Sequence, residues 1–460
     1  MSKYNKSVFI FRRALRRKDN TGLIAALKNS EKVLPCFFFS PNQLEDNEYK
    51  SKNSVQFMVE SLKDLESQLK QYEGKLYKFY GKQPDIIENL INEENIEAVF
   101  TNRDYTPFSK KRDKKIKNIC QQQGVGFIQK NDYLLVEPEN IETNQGDPYK
   151  VFTPFYNKAK RKRIDKPEPN QHTNYYTGEI KASEGEKIYD EVLESKNKQL
   201  FQHGGRDEAM KTIRNLHNYD NYEQDREIPA KDGTTEMSTH NKFGTISIRE
   251  FYWDIRDQLG RGHELIRELF WRDFFTHIAF HFPKVFGEPF YEKYKQFNWS
   301  YSKKKFKAWK EGRTGFPIVD AGMRQLNTTG WMHNRVRMIV ASFLTKDLRI
   351  DWRWGEKYFA TKLIDYDPAV NNGNWQWAAS TGCDSQPYFR IFNPWSQQQD
   401  HDPEAEYIKK WVPELENMKA DKIHKLKKEQ KPLEDTDYPK PMVDHDTQRK
   451  KTLEKFKQLN

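Results

Sequence analysis

Three segments in the second half of the chain combine chemically active side chains with helical spacing. In RELFWRDFF, Glu268, Trp271 and Arg272 stand at positions i, i+3 and i+4. A helix therefore places an acid, an indole and a guanidinium on one face. Such a face can be a surface salt bridge, or it can form one wall of a ligand pocket.

The segment GWMHNRVRMIVASF places an arginine inside an apolar helix. Asn334 and Met338 are one turn apart and share a face, with Arg337 beside them. Because a guanidinium is costly to bury alone, we expect an anionic partner for Arg337. Asp365 and Asp367, in LIDYDPAVNN, are the two candidates.

The segment NNGNWQWAAS, residues 371–380, sets two tryptophans among three asparagines. In a helix, Asn371 and Trp375 face the same way, whereas Trp377 points to another side. The combination suits a pocket for a flat ligand with a polar edge. Two core tryptophans flanked by amide caps are the alternative interpretation.

A hydroxyl-rich loop, with Gly233, Thr234, Thr235 and Ser238, precedes these helices. It can offer hydroxyls and backbone N–H groups to phosphates, or it can simply cap a helix. Familiar nucleotide signatures are absent from the sequence, because GVGFIQ and GRGHEL lack the third glycine of the dinucleotide fingerprint and no Walker A motif occurs.

Two histidines, His277 and His281, have the spacing of zinc ligands on a helix, but HIAFH lacks the glutamate of the H-E-x-x-H motif. Packed or capping histidines are therefore expected, and no metal site is predicted. No Gly-x-Ser-x-Gly elbow is present either, so hydrolase chemistry has no support.

Composition narrows the class of protein. The chain has 460 residues, a formal net charge of +11 and 14% aromatic residues. The charge favours a polyanionic partner such as nucleic acid, although a lysine-rich surface also serves solubility. Three cysteines without metal-ligand spacing indicate a reducing compartment. With no signal peptide and no membrane-spanning run, we expect an intracellular monomer, cytoplasmic or nuclear according to the host.

The first part of the chain alternates strand and helix patterns. The strands are SVFIF, VLPCFFF, KLYKFY, EAVFTN and VGFIQK, and the helices are one capped by Asp19 or Asn20 and others over 54–70, 84–94 and 109–122. This alternation predicts a parallel sheet. Residues 135–205 are rich in Lys, Asn, Glu and Pro and predict a long surface linker. From residue 206 only helical patterns remain, so the predicted domains are 1–134, 135–205 and 206–460.

Long stretches of the chain resemble the photolyase/cryptochrome family, above all GRTGFPIVDAGMRQLNTTGWMHNRVRMIVASF and NNGNWQWAASTGCDSQPYFRIFNPWSQ. The resemblance runs nearly end to end, and WMHNR is most similar to the microbial class of cyclobutane pyrimidine dimer photolyases. It implies an α/β domain, a linker and an all-α domain that binds FAD. It also implies light-driven splitting of pyrimidine dimers in DNA by an electron from reduced FAD.

The resemblance assigns FAD contacts to positions that match the family's motifs. Arg337 and Asp365 would form a salt bridge beside the isoalloxazine ring, and Asn371 would face flavin N5, with the neighbouring amides serving the flavin edge. The matched set is Tyr222, Thr234, Thr235, Met237, Ser238, Glu268, Arg272, Asn334, Arg337, Asp365, Asp367 and Asn371.

Lesion, DNA and electron-transfer residues follow from the same resemblance. The dimer-pocket set is Glu268, Trp271, Asn334, Met338 and Trp377, with Asn371 as a further catalytic residue. Glu268 would donate a hydrogen bond to the dimer in its protonated form, which desolvation favours. The phosphate-contact set is Arg226, Arg335 and Arg390, and the tryptophan chain runs from Trp375 through Trp352 to Trp299.

Alternatives stay open within the family. The chain can be a photosensory cryptochrome, a (6-4) photolyase or a flavin-binding DNA protein without repair activity. A second antenna chromophore can be a folate, a deazaflavin or another flavin, or can be missing. Ser109 stands where the family's acidic antenna contact is found, which disfavours a folate.

Overall fold

Five parallel strands form the sheet expected for the first part of the chain. In the computed structural model, which describes residues 2–45, 47–180, 185–194, 196–428 and 436–459, they are β1 Tyr4–Phe11, β2 Ser30–Phe39, β3 Tyr77–Tyr80, β4 Ala98–Asn102 and β5 Gly126–Lys130. Their order is β3-β2-β1-β4-β5, and every pairing is parallel. The order reverses between β1 and β4, which opens a crevice at the carboxyl ends of these two strands.

Four of the five helices between these strands agree with the predicted pattern, whereas the short helix Pro41–Leu44 was not predicted. They are α1 Thr21–Asn29, α2 Pro41–Leu44, α3 Lys52–Lys70, α4 Gln83–Glu94 and α5 Pro107–Gln122. Of the two candidate caps, Asn20 is the residue that accepts a hydrogen bond from the Leu23 amide. Asp19 instead has φ of 50° and accepts from Arg249, so its carboxylate serves an ion pair.

The segment predicted as a surface linker carries helices and buried aromatic rings. It contains α6 Phe152–Ala159 and α7 Gly185–Glu194. Phe152 and Phe155 are buried, since their one-turn spacing turns both rings to the same side of α6. The aromatic-rich stretch YKVFTPFY, called the aromatic knot below, therefore contributes to a packed core.

The remaining helices follow in sequence. They are α8 Arg206–Arg214, α9 Tyr222–Asp225, α10 Ser238–Phe243, α11 Ile248–Gln258, α12 Glu264–His281, α13 Lys303–Lys310, α14 Pro317–Thr329, α15 Asn334–Ser342, α16 Trp352–Lys362, α17 Pro368–Ala379, α18 Pro394–His401, α19 Glu406–Trp411, α20 Ala420–His424 and α21 His445–Lys457. A π-helical turn, Phe343–Asp347, extends α15. Across the described part of the chain, no helix is long and apolar enough to span a bilayer.

The chain divides into two compact units. The first comprises the described residues up to Lys198 together with Gln202–Asn218 and Thr235–Pro283, and the second comprises Gln199–Phe201, Tyr219–Thr234 and the described residues from Lys284 onward. Helices α8 and α10 to α12 thus lie in the unit that contains the sheet. The second unit has one large apolar core, rich in tryptophan.

Candidate functional site

Helix α12 of the first unit presents the polar face expected from its spacing. Glu268, Trp271 and Arg272 are partly exposed, whereas Leu269 and Phe270 are buried. The helix begins at a cap, because the ring of His263 accepts a hydrogen bond from the Leu265 amide. The predicted shared face is confirmed.

Trp271 is less open than its predicted role in the dimer pocket suggests. Its ring stacks on Phe152 with centroids 3.5 Å apart and planes within 9°. One indole face is therefore covered by the aromatic knot of α6, a contact that helical spacing within α12 could not reveal. Phe152 is a site neighbour that the sequence reasoning missed.

Arg272 is incompletely satisfied. Its guanidinium lies 3.6 Å from the centroid of the Tyr133 ring, and its Nη1 donates to Asp273 at 3.3 Å. The Nε–H is buried and has no hydrogen-bond partner among the described residues. A buried donor without a partner is costly, so Arg272 fits an anionic ligand such as the pyrophosphate of FAD.

The carboxylate of Asp273, next to Arg272 in sequence, also accepts hydrogen bonds from the backbone. Asp273 Oδ2 accepts from the backbone amides of Leu135 and Val136, at 2.8 Å and 3.1 Å. Burial raises the pKa of Asp273 to about 7. Asp273 therefore holds residues 135–136 against α12 and gives Arg272 only part of a counterion; the sequence analysis passed over it.

In the second unit, Arg337 has the anionic partner that its position demands. Its Nη1 and Nη2 donate to the two carboxylate oxygens of Asp365, at 3.2 Å and 2.9 Å, and its Nε donates to the Met332 carbonyl at 2.7 Å. The Ile364 amide donates to the Gly330 carbonyl, which brings Asp365 alongside the start of α15. Of the two predicted candidates, Asp365 is the partner.

The same helix brings Asn334 and Met338 together, with Asn334 Nδ2 3.9 Å from Met338 Sδ. His333 caps the helix by accepting from the Arg335 amide. Burial, followed by the nearby Arg337, lowers the pKa of His333 to about 3, so the imidazole stays neutral. An amide and a thioether thus form a polar but uncharged pair at the start of α15.

Asp367 fixes the start of α17. Its side chain accepts from the amides of Ala369 and Val370, at 2.9 Å and 3.1 Å. Pro368 follows at the first helical position, where its missing N–H costs nothing and its φ suits a helix. Pro368 therefore helps α17 to begin at a defined residue.

Asn371 is oriented by a residue that the sequence analysis did not single out. Its Nδ2 donates to Glu356 Oε1 at 2.9 Å and to the Glu356 carbonyl at 3.2 Å. Both side chains are buried. Because the NH₂ group is engaged, the amide has a defined orientation and its Oδ1 is the end left to face a ligand. An acid in the aromatic segment WRWGEKYF was the available signal for Glu356.

The other amides of NNGNWQWAAS serve the backbone, which corrects the expectation that they line a flavin edge. Asn372 and Gln376 both donate to the Val285 carbonyl, at 2.9 Å and 3.0 Å. Asn374 donates to the Val370 carbonyl of its own helix at 2.9 Å. These contacts anchor α17 to the segment after residue 284, which a sequence pattern cannot distinguish from ligand binding.

The two tryptophans of α17 differ in burial, as their spacing predicted. Trp375 is 2% exposed, whereas Trp377 is only partly buried at the margin of the core. Gly355 of α16 lies against Trp375 so closely that an added Cβ would come within 2.2 Å of the indole. A glycine at 355 is therefore required for α16 and α17 to approach.

Trp352 and Trp299, the expected outer members of the tryptophan chain, lie in the same core as Trp375. Trp352 opens α16, one turn before Gly355. The Ser300 amide donates to the Arg349 carbonyl at 2.6 Å, and this bridge brings the segment after Trp299 beside the segment that leads into Trp352. Both indoles are buried.

The residues of the hydroxyl-rich loop are divided between the two units, with Thr234 in the second unit and Thr235 in the first. In the second unit, Tyr222 is buried and Thr234 is partly exposed, and an added Cβ on Gly233 would lie 2.6 Å from Asp225. In the first unit, Thr235 and Met237 are buried, and Ser238 is exposed and begins α10.

The N-cap residue of α10, Met237, makes no side-chain cap hydrogen bond. The phosphate contact of Ser238 stays a prediction.

The predicted phosphate-contact arginines differ in availability. Arg390 is exposed and lies beside the exposed ring of Phe389. Arg335 instead pairs with Glu227 and is mostly buried. Arg226 is partly exposed, and its guanidinium lies 5.2 Å from the Tyr222 ring.

The histidine pair of α12 is packed. The rings of His277 and His281 are 4.6 Å apart, and His281 Nε2 lies 3.3 Å from the Pro138 carbonyl oxygen. Burial lowers the pKa of His277 to about 3. Within the described ranges, no group of three His, Cys, Asp or Glu side chains is suited to a metal ion. The three cysteines are free thiols, all buried.

Comparison with known proteins agrees with this geometry. Residues 7–172 match the family model described as DNA photolyase, and residues 265–458 match the FAD binding domain of DNA photolyase. The chain is 36% identical to the deoxyribodipyrimidine photo-lyase of Alkalihalophilus pseudofirmus, with 97% of each chain covered.

Solved structures are similar over almost the whole length. An archaeal photolyase from Sulfolobus tokodaii, whose crystal contains two FAD molecules, is 41% identical with a TM-score of 0.89, covering 98% of this chain and 100% of the other. A cryptochrome from Synechocystis is 26% identical with a TM-score of 0.87, covering 99% of each. The fold is therefore common to repair enzymes and cryptochromes. The chain belongs to the photolyase/cryptochrome family.

Proposed function

We propose that this protein is a deoxyribodipyrimidine photo-lyase, which binds FAD and repairs cyclobutane pyrimidine dimers in DNA under light. The single observation that carries this proposal is the set of side chains on α15, where Asn334 and Met338 meet beside the Arg337–Asp365 pair. Bound FAD in its reduced, photoexcited form supplies the electron that splits the dimer. The chain's own residues bind, orient and exclude water.

Arg272 and Arg337 have different electrostatic roles toward FAD. Arg272 keeps a buried donor for a phosphate oxygen. Arg337, held flat by Asp365 and Met332, places a fixed positive charge in the second unit and favours an anionic flavin. Asn371, oriented by Glu356, would offer its Oδ1 to bound FAD.

The lesion is recognised by stacking and by one amide. Dimers must leave the duplex to be reached, a behaviour for which photolyases are an established example. Trp377, partly exposed at the core margin, stacks on the extruded dimer, and Asn334 hydrogen-bonds a base edge. Glu268 donates a hydrogen bond to a dimer carbonyl, and Trp271 contributes the part of its surface that Phe152 leaves open.

DNA is held through its phosphates. Arg390 is the most available of the three matched arginines, and Arg226 is partly exposed. Arg335 acts chiefly by fixing Glu227. The protein works as a monomer inside the cell, where the DNA lies.

A second chromophore is proposed for the crevice between β1 and β4. Arg12 follows β1, donates to Asp113 at 2.9 Å and to Gln83 at 3.1 Å, and keeps a buried Nε–H without a described partner. Arg112 Nη2 is in the same condition. Two unsatisfied guanidinium donors suit an anionic antenna, and the two FAD molecules of the Sulfolobus tokodaii photolyase support that class of ligand.

Spectroscopy of the purified protein tests the cofactor proposals. Heating should release one FAD from the helical site, measured by its fluorescence, and any antenna as additional absorbance. Arg12→Ala should lose only the additional chromophore, with Lys114→Ala as an exposed control. Folded protein that neither carries FAD nor takes up added FAD would contradict the proposed function.

A further inference from the structure

We propose that a second electron path, separate from Trp352 and Trp299, joins buried Trp375 to the exposed phenol of Tyr301 through Trp309 and Trp354. The proposal rests on the proposed light-driven function. It assigns a role in that reaction to three residues outside the matched tryptophan chain. All the rings involved lie in the second unit.

The inner step joins two buried indoles. Trp309 is fully buried, and its ring centroid lies 6.1 Å from that of Trp375 with the planes at 74°. Its Nε1–H donates to the Val340 carbonyl at 3.1 Å, which holds the ring in one orientation. Phe359 packs on both indoles, with ring centroids 6.1 Å from Trp309 and 4.9 Å from Trp375.

The outer step crosses Phe306. This ring stacks on Trp309 at 5.7 Å, because residues 306 and 309 are one turn apart on α13, and it meets Trp354 of α16 at 5.1 Å. Phenylalanine is too hard to oxidise to become a radical intermediate. Phe306 therefore only fills the space between the two indoles, and the electron passes from one indole to the other. Trp354 then contacts Tyr301 at 5.8 Å.

The two paths end in different surroundings. Trp299, the last matched tryptophan, is 6% exposed, whereas Tyr301 is 60% exposed. A phenol that loses an electron also loses its proton, and water must accept that proton. The path through Trp354 therefore reaches solvent at a residue that can release both particles.

The electrons and protons balance along this route. The oxidant of this route is oxidised FAD, which under light would accept one electron from Trp375. An electron from Trp309 then fills the vacancy on Trp375, one from Trp354 fills that on Trp309, and one from Tyr301 fills that on Trp354. Tyr301 gives its hydroxyl proton to water and becomes a neutral radical. A small thiol in the medium returns a hydrogen atom to Tyr301, and two thiols end as one disulfide.

Helix α16 is the element that serves both routes. Trp352 and Trp354 are two positions apart at its start, so their side chains point to different sides. Trp352 is 2% exposed and Trp354 is partly buried. The start of α16 therefore supplies one intermediate member of each path.

Time-resolved electron paramagnetic resonance on illuminated protein with oxidised FAD tests the route. The wild type should show tryptophan radicals followed by a long-lived tyrosyl radical. Tyr301→Phe and Trp354→Phe should each lose the tyrosyl signal and keep tryptophan radicals. Phe306→Leu should slow its appearance, and Trp411→Phe, on the margin of the same core, should leave it unchanged.

The outcomes separate the two proposals. Two results would overturn the second path alone. One is a tyrosyl signal that persists in Trp354→Phe, and the other is a wild type that forms tryptophan radicals but no tyrosyl radical. A wild type that binds FAD but forms no radical at all would contradict light-driven electron entry, and with it both proposals. Circular dichroism of each variant identifies one that fails to fold, and Phe306→Leu then provides the decisive comparison.

Discussion

Two arginines of the site differ in how completely the chain itself satisfies them. Arg337 donates from all three of its nitrogens, two to Asp365 and one to a carbonyl. Arg272 shares the neighbouring Asp273 carboxylate with two backbone amides, and its Nε–H is buried without a described partner. The first arginine is complete before a ligand arrives, whereas the second is completed by one.

The two tryptophans of α17 show the same division. Trp375 is enclosed by Gly355, Phe359 and Trp309, so its surroundings come from the chain alone. Trp377 keeps part of its surface open. Side chains whose contacts all come from the chain keep the site in shape. Side chains that keep an unused donor or an exposed surface bind the ligands. Substitutions at the two kinds of residue should therefore fail in different assays.

The largest expected effect is on the stability of the protein without FAD. Arg337→Ala leaves the Asp365 carboxylate, 5% exposed, without its cation, and should lower the free energy of unfolding by about 3 kcal/mol. Arg324→Ala is the matched control, because its partner Glu414 is 23% exposed and can be hydrated. Urea unfolding of both variants measures the difference, and equal losses would show that burial of the acid does not matter.

The tryptophan pair should separate two activities. Trp377→Ala should weaken binding of dimer-containing DNA by about 1–3 kcal/mol, the value of one base–aromatic stack, and leave photoreduction intact. Trp375→Phe should block photoreduction of oxidised FAD but spare repair when FAD is chemically reduced first. Binding titrations and flash absorption measure the two effects. The same phenotype in both variants would refute the conclusion that Trp375 and Trp377 point to different sides of α17.

Arg272→Ala should affect ligand affinity far more than stability. Losing one charge-assisted hydrogen bond costs about 1.5–3 kcal/mol, so the Kd for FAD should rise roughly tenfold to a hundredfold. Without FAD, the loss in the free energy of unfolding should be smaller than that of Arg337→Ala, because the Asp273 carboxylate keeps its hydrogen bonds from the Leu135 and Val136 amides. Fluorescence titration of the apoprotein with FAD measures the affinity. A variant that loses stability but not affinity would make Arg272 a structural residue like Arg337.

The smallest expected effect concerns the exposed arginine. Each neutralised phosphate contributes roughly 0.9 to the slope of log K against log salt concentration. Arg390→Ala should reduce that slope by about this amount and leave the preference for damaged over intact DNA unchanged. Filter binding across salt concentrations provides the measurement. An altered preference would mean that Arg390 contacts the lesion.

The sequence predicted the elements and the local faces well. Alternation of apolar runs and helical periods predicted all five strands and the longer helices α1, α3, α4 and α5, but not the four-residue α2, since each signal extends over only a few neighbouring residues. Spacing alone paired Asn334 with Met338 and separated Trp375 from Trp377. Charge and burial arguments predicted a counterion for Arg337 and named Asp365 among two candidates.

What the sequence did not reveal depends on contacts between distant segments. Phe152 covers Trp271, Val285 engages two amides of α17, and Glu356 orients Asn371, each across more than a dozen positions. An amide pattern looks the same whether it binds a ligand or a carbonyl. The compositional change near residue 206 likewise did not reveal that α8 and α10 to α12 lie in the first unit.

The choice of lesion tests the central claim most directly. Splitting a cyclobutane dimer needs an electron and no net proton transfer, whereas repair of a 6-4 product needs a proton shuttle such as histidine. Asn334 and Met338 cannot shuttle a proton, and His333, which caps α15, is buried and neutral. Two oligonucleotides, one with each lesion, are illuminated with enzyme containing reduced FAD and resolved by chromatography. We expect restored thymines from the cyclobutane dimer alone; restoration of only the 6-4 product, or of neither lesion, would contradict the assignment.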